Sequence, residues 1–465
     1  MGAEESSVRA RWLGQIPAYI LSHGVAFLTG LVSIAILPRI LGPEQYGAYA
    51  LIMATANMAA SLFGEWLVPS GIRLSSEVPH GFIWNTLGWM AVFSSILGGV
   101  AVGALLSGQQ LSPHVGLWAS LFAVAMILSK ASMAYIRTTL DRRLIAGYTF
   151  VSSLGSLLLS LSLFLVGRHL TWLIVGLSIA PWSLFLIYSF KFRWFLTQPR
   201  LDLVQSVLRF GLPIAITSIG GQILQVADRY MLALFKTHAD VGIYNATYNL
   251  SDKFLGLCFS VLFSSMYPVA SHAWARGNRA DAESLLVNLF RFMTIVAGAF
   301  AWFQAASGVS FIRLLAGEAF RPPSLVPVLV ALGSWIWFTG ILQHQPLEWD
   351  KRTLWVTAMT LFTAILNLAL NWILIPSLGV IGAAIATLVS YSAYLLVCTF
   401  VTKHYGYYAR VWEVWVILGT SLGAFLLWYR FQGNAGLLQG TLAALVYVGL
   451  GLGSRLLLKI KKGAQ

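Results

Sequence analysis

A chain of 465 residues that is 58% hydrophobic and only 10% charged cannot be a set of ordinary soluble domains, which carry about a quarter charged residues. Its formal charge of +14 does not indicate nucleic acid, because the basic residues punctuate apolar segments rather than forming a soluble patch. The two cysteines, Cys258 and Cys398, fall in apolar runs, which argues against a disulfide framework or a thiolate metal site and for buried free thiols.

Along the chain, apolar windows of the length that crosses a bilayer recur, and about 20 residues suffice for one crossing. They fall at 13–38, 47–70, 82–107, 116–136, 147–167, 170–190, 206–234, 240–268, 287–312, 324–346, 354–376, 380–402, 411–430 and 435–458. The expected fold class is therefore an all-α integral membrane protein with about 14 transmembrane helices. The first window is too long and too rich in Gly and Ser for a cleaved signal peptide, so it is read as a retained helix. Links such as "GPEQYG" (42–47) and "SLGV" (377–380) are short and force antiparallel neighbours. With the N-terminus inside, twenty-one Lys and Arg residues lie at inner span ends and six at outer ends, and three lie within spans. This bias is the positive-inside pattern and places both termini in the cytoplasm. Arg39, at an outer end, is expected to snorkel to the surface.

The basic link "KFRWFLTQPRLD" (191–202) divides the windows. The expected organisation is an N-terminal six-helix lobe (1–190), a cytoplasmic linker (191–205), a C-terminal six-helix lobe (206–402), and two additional helices with a basic tail (403–465). "EQYGAYALIMATAN" (44–57) echoes "ADVGIYNATYNLSD" (239–252), aligning Gly47 with Gly242 and Tyr49 with Tyr244. Repeated bundles around a midplane site are a common transporter plan.

Charged residues inside spans are expensive and mark a partner or a wet surface. On the seventh window Gln222, Gln225, Asp228 and Arg229 share one side, and on the eighth Asn245, Tyr248, Asn249 and Asp252 do so, with Lys253 at the edge. By helix rise, 222–229 lies roughly 8–18 Å from its outer end. Two cross-helix pairs are expected if the charges only hold these helices together: Asp228 with Lys253, and Asp252 with Arg229. In the first half, Glu65 and Lys130 are expected to pair, and Asn57 takes the repeat position of Asp252. His23 is a candidate proton relay or a structural histidine. Asn367 and Asn371 are read as a bridge between helices. No phosphate-binding loop follows a strand, and no HExxH or Ser–His–Asp arrangement is readable; catalytic and metal-binding residues are not expected.

The segments "RILGPEQYGAYAL" (39–51), "LRFGLPIAITSIGGQILQVADRYMLALF" (208–235), "ADVGIYNATYNLSDKF" (239–254) and "NLALNWILIPSLGVIGAAIAT" (367–387) resemble the polysaccharide-type flippases of the multidrug/oligosaccharidyl-lipid/polysaccharide exporter superfamily. The resemblance implies two six-helix lobes around a central cavity, with two further C-terminal helices. It implies transport by alternating access of an undecaprenyl-diphosphate-linked oligosaccharide from the cytoplasmic to the outer leaflet of a bacterial or archaeal cytoplasmic membrane. That step serves O-antigen, capsule or exopolysaccharide assembly, and a polymerase and chain-length regulator are the partners to expect.

On this reading Arg229, Lys253 and Lys130 are candidates for the diphosphate, with Gln222, Gln225, Asn245 and Asn249 lining the route. Asp228, Asp252 and Glu65 are candidates for ion coupling or gating by Na⁺ or protons, and no other cofactor is expected. Two alternatives remain open: a cation-coupled drug antiporter of the same superfamily, and a membrane-embedded polysaccharide polymerase or glycosyltransferase.

Overall fold

The computed structural model describes residues 2–463 apart from positions 76, 79, 110, 140, 192–197 and 408–410. Side chains are described within these except at 2–24, 26–27, 31, 80, 142, 191, 213, 216–217, 411–415 and 451–463, so His23 and part of the 191–205 link lie outside the description.

The helices are α1 (Gly2–Ala60), α2 (Leu67–Leu74), α3 (His80–Ser107), α4 (Pro113–Thr139), α5 (Arg142–Phe150), α6 (Ser156–Gly167), α7 (Leu170–Lys191) and α8 (Leu201–Phe235). They continue as α9 (His238–Ala275), α10 (Arg279–Ala316), α11 (Val326–Trp349), α12 (Thr353–Leu378), α13 (Val380–His404), α14 (Val411–Phe431) and α15 (Leu437–Gly463). Two π-helical turns, Ser61–Glu65 and Val151–Gly155, join α1 to α2 and α5 to α6. Each of the fourteen apolar windows falls on one of these helical stretches, two of them (324–346 and 435–458) starting two residues before their helix, and no strand occurs among the described residues. Among the described residues, ten stretches are long and apolar enough to span a membrane by length and composition alone.

"GPEQYG" differs from the expected loop. Helix α1 runs through it with a single break at Gly42, whose φ of 69° and ψ of 171° suit glycine and strain other residues. Pro43 follows at the first position of the resumed helix, where its missing N–H is no loss. Gly379, with φ 56°, ends α12 in the same way before α13.

The residues pack as two compact units: Met1–Ile36 with Ala48–Gln222, and Leu37–Gly47 with Ile223–Gln465. Helix α8 runs through the division, so the basic link at 191–202 and the change of packing at Gln222–Ile223 are separate features. In the first unit Trp66, Leu67, Ile83, Leu87, Leu128, Ala131 and Phe185 form a buried core. In the second, Leu255, Phe290, Met293, Leu332 and Trp335 do so.

Small residues allow close helix approach where apolar association in lipid has little drive. A Cβ on Gly47 would overlap the His238 carbonyl oxygen, and one on Gly242 would overlap that of Pro43. The two glycines aligned by the sequence echo thus press backbone on backbone within the second unit. Arg39 does not snorkel freely. Its Nε donates to the Leu315 carbonyl at 3.0 Å and its Nη2 to that of Leu314, capping the C-terminus of α10, where orphan carbonyls and the helix dipole favour a cation.

Asp350, after α11, ties together α9, α10 and the segment after α13 in the second unit. Its carboxylate accepts from Trp274 Nε1 at 2.7 Å and from the Tyr407 hydroxyl, and it pairs with Arg279 at 3.6 Å. Partial burial raises its carboxyl. The Tyr407 and Trp274 hydrogen bonds and the Arg279 and Arg352 charges outweigh that effect and leave it below the usual carboxylate range. A group depressed on folding contributes stability above its unfolded value and loses it as pH falls through the folded one. The thermal midpoint in detergent is therefore expected to fall on acidification below about pH 4, and to fall less steeply in Asp350→Asn. Equal slopes in the two proteins would remove Asp350 from the effect.

Candidate functional site

In the first unit the π-helical turn Ser61–Glu65 sets two polar contacts. A π turn widens the helix locally and re-aims the side chains that follow, and such turns occur often at functional sites. Ser61 Oγ accepts from Gln222 Nε2 at 3.0 Å, and Glu65 pairs with Lys130 at 2.5 Å, as its sequence position led us to expect. Both partners of the Glu65–Lys130 pair remain partly exposed. Asn57 is exposed and its amide donates to the Met53 carbonyl of its own helix.

In the second unit the polar residues of α8 and α9 converge on Arg229. Asp228 and Arg229 are both buried. The guanidinium Nε donates to Asn245 Oδ1 at 2.9 Å, Nη1 donates to the Gln225 carbonyl, and Nη1 lies 3.4 Å from Asp228 Oδ1. The same Asp228 oxygen accepts the Arg229 backbone N–H at 2.8 Å. The Tyr248 ring stacks beneath the guanidinium, 5.2 Å from its carbon. The expected cross-helix exchange of charges is thus replaced by a pair within α8. The Arg229 side chain is long enough to fold back along its own helix, and Asn245 supplies a neutral acceptor from α9 in place of Asp252.

Asp252 instead accepts from Ser334 on α11 at 3.1 Å. Asn249 lies half-buried, while Gln225 and Lys253 are exposed. Asn371 donates to Asn367 one turn earlier at 2.9 Å, so this couple bonds along α12 rather than bridging helices through each other.

Several contributors were not singled out as site residues from the sequence. Tyr46, from the "EQYG" segment, is buried, with its hydroxyl against Asn245 and Asn249. The buried Tyr244 hydroxyl sits beside Asp228 and Thr387, and the Tyr248 hydroxyl lies 3.5 Å from that of Tyr391. Tyr46 was visible as part of a motif, but nothing in the local pattern tells an interfacial tyrosine from one inserted into a polar cluster.

Among the described residues no group of three or more His, Cys, Asp or Glu side chains could hold a metal ion. The arrangement offers hydrogen-bonding surface and cations at membrane depth. Lys253 is the fifteenth residue beyond His238, roughly 22 Å along α9. Part of the Lys253 side chain is exposed there and its ammonium feels the Asp252 carboxylate; a cation facing hydrocarbon costs about 2.5–3.5 kcal/mol or more, so this edge of α9 is not expected to face lipid.

Residues 15–274 match the polysaccharide biosynthesis protein family, and the chain belongs to that family. A relative in Haloferax volcanii, the "probable low-salt glycan biosynthesis flippase Agl15", is 24% identical over 397 residues, covering 81% of this chain and 79% of that protein. Among solved structures, the fold is similar to the lipid II flippase MurJ in an inward closed conformation. The TM-score is 0.73 at 15% identity, over 95% of this chain and 100% of that one. It is also similar to an inward-facing multidrug resistance MATE family transporter of the MOP superfamily, with TM-score 0.58 and 13% identity over 88% and 95% of the two chains.

Proposed function

We propose that the chain is a flippase for a lipid-linked oligosaccharide, carried on a polyprenyl diphosphate such as undecaprenyl diphosphate. The glycan would move to the outer leaflet for assembly of a surface polysaccharide. The observation that carries this reading is the exposure of Lys253 and Gln225 at membrane depth beside the buried Arg229–Asn245 cluster. Sugar hydroxyls and a diphosphate lose water in crossing hydrocarbon and need replacement partners. An ammonium and amides supply them, and cationic donors suit phosphate oxygens. The name of the Haloferax volcanii relative and the MurJ-like fold support the same class.

Within this reading Lys253 meets the diphosphate directly, and Lys130 contributes when it leaves Glu65. Arg229 has most of its donors committed to Asn245, Gln225 and Asp228, so it organises the amides and lends positive potential. Gln222, Gln225, Asn245 and Asn249 line the route. Asp228, Asp252 and Glu65 are the carboxylates available for Na⁺ or proton coupling or for gating as access alternates. The membrane is the cytoplasmic membrane of a bacterium or archaeon, with both termini inside. A polymerase and a chain-length regulator would use the product at the outer leaflet. A drug antiporter would favour an anionic face, and an exposed Lys253 opposes it.

The test is flipping of a polyprenyl-diphosphate oligosaccharide by protein reconstituted in vesicles. Lys253→Ala is expected to slow flipping at least about tenfold, equivalent to losing one charge-assisted hydrogen bond of 1.4 kcal/mol, with normal membrane insertion. Lys253→Arg should retain most of the rate. Wild-type rates in both Lys253→Ala and Lys130→Ala would remove these cations from the substrate site.

A further inference from the structure

Helix α11 carries a polar run, "QHQP" (343–346), inside a span that is otherwise apolar. Gln343, His344 and Gln345 are 2%, 7% and 2% exposed. Gln343 Nε2 donates to Thr402 at 2.7 Å, yet the side-chain oxygens of Gln343 and Gln345 are buried with no hydrogen-bond donor among the described residues. Pro346 removes one further donor, the N–H that the Leu342 carbonyl would otherwise receive. A polar run with few protein partners is costly inside an apolar span, where a buried group left unsatisfied costs about 1–3 kcal/mol.

The imidazole at its centre is held at both nitrogens. His344 Nδ1 lies 2.6 Å from the Tyr394 hydroxyl on α13, and Nε2 lies 3.3 Å from Glu348 Oε1 one turn along α11. Tyr394 also lies beside Thr360 on α12, whose own hydroxyl donates to the Val356 carbonyl and so leaves an oxygen able to accept. In the neutral state Tyr394 O–H donates to Nδ1, and Nε2–H donates to Glu348. In the protonated state both ring nitrogens donate, the Tyr394 oxygen accepts, and its O–H turns to Thr360. Both charge states therefore have full sets of partners, and one hydroxyl rotation separates them. Protonation adds an α13-to-α12 bond and converts the Glu348 contact into an ion pair.

Other groups around the site are accounted for. Helix α13 also presents the Cys398 thiol, near Tyr394. From α9, α10 and α12 the buried neighbours of Tyr394 and Leu347 are Ala270, Trp274, Ala282 and Met359. The nearest charges in sequence, Asp350 and Arg352, are engaged with Arg279 and with the Tyr405 ring. Glu348 is one-third exposed, and it lies at the end of α11 that leads to Lys351 and Arg352.

We propose that His344, Glu348 and Tyr394 form a proton-binding site opening to that basic face of the membrane, and that its occupancy sets the rate of transport. The second half rests on the flippase reading above; the first does not. Protein labelled with ¹⁵N-histidine, compared with His344→Gln, isolates the His344 signal from those of the other histidines. Its ring nitrogens are expected to report exchange between the two hydrogen-bonded states as the pH is varied from about 5 to 8, and Glu348→Gln is expected to alter that exchange, because it removes the carboxylate that faces Nε2. In vesicles buffered equally on both sides, flipping of a fluorescent polyprenyl-diphosphate disaccharide is expected to change at least about fivefold over that range. His344→Gln should flatten the change to less than about twofold, at equal membrane insertion. A His344 signal fixed from pH 5 to 8 would overturn the proton site. A wild-type pH profile in both His344→Gln and Glu348→Gln would overturn its link to transport. No flipping by the wild type at any pH would overturn the flippase reading, and the labelled spectra would still decide the site.

Discussion

Replacing Arg229 by alanine is expected to destabilise the second unit by about 3–5 kcal/mol, the loss usual when one member of a buried ion pair is removed. The reason lies in what remains. Asp228 is 2% exposed and would be left buried with no cation beside it, while Asn245 Oδ1 and the Gln225 carbonyl would lose their donors. Replacing Asp228 and Arg229 together by leucine should cost less, because no buried charge is then stranded. Exchanging the two residues should be worse than that double replacement. A carboxylate at 229 would turn an acceptor toward Asn245 Oδ1 and the Gln225 carbonyl, both acceptors themselves. Unfolding in detergent, followed through the second unit's tryptophans, separates these proteins. An Arg229→Ala protein that melts with the wild type would refute the clasp.

Gly47→Ala and Gly242→Ala are expected to have effects as large, at about 3 kcal/mol or more each, beyond the middle of the usual range for overpacking. Side chains can relieve a clash by changing rotamer, but the obstacles here are the main-chain carbonyls of His238 and Pro43. Relief requires separating two helices along their line of contact. Gly147→Ala is the control. Nothing lies within 4 Å of a Cβ there, so it should be neutral or stabilising by a few tenths of a kcal/mol. The glycine variants should lose monodisperse protein on size exclusion, whereas Gly147→Ala should match the wild type. Equal behaviour of all three would mean that the close crossing is not needed.

These two sites show where local reading stops. The apolar windows, the glycine echo and the polar stripes of α8 and α9 were legible in the sequence, because span length and helical periodicity are properties of consecutive residues. The same patterns place Gln225, Arg229, Asn245 and Asn249 on common helix sides. They do not say which acceptor an arginine with a reach of several ångströms will choose. Asp228, Asp252 and Asn245 were all within plausible range of Arg229, and only the packed helices select Asn245 and Asp228.

Sequence alone therefore determined that this is a many-spanned, all-helical membrane protein, with its in-span charges gathered on a few helices and its spans joined by short links such as 42–47 and 377–380. Tertiary structure decided that Gly47 meets the His238–Gly242 turn, that Tyr46 reaches the Asn245–Asn249 edge, and that His344 sits between Glu348 and Tyr394. Hydrophobic period follows from the order of neighbours along one helix. A contact between residues 50 or 200 positions apart depends on where two helices cross, and a shift of one turn, about 5.4 Å, would replace every partner in it.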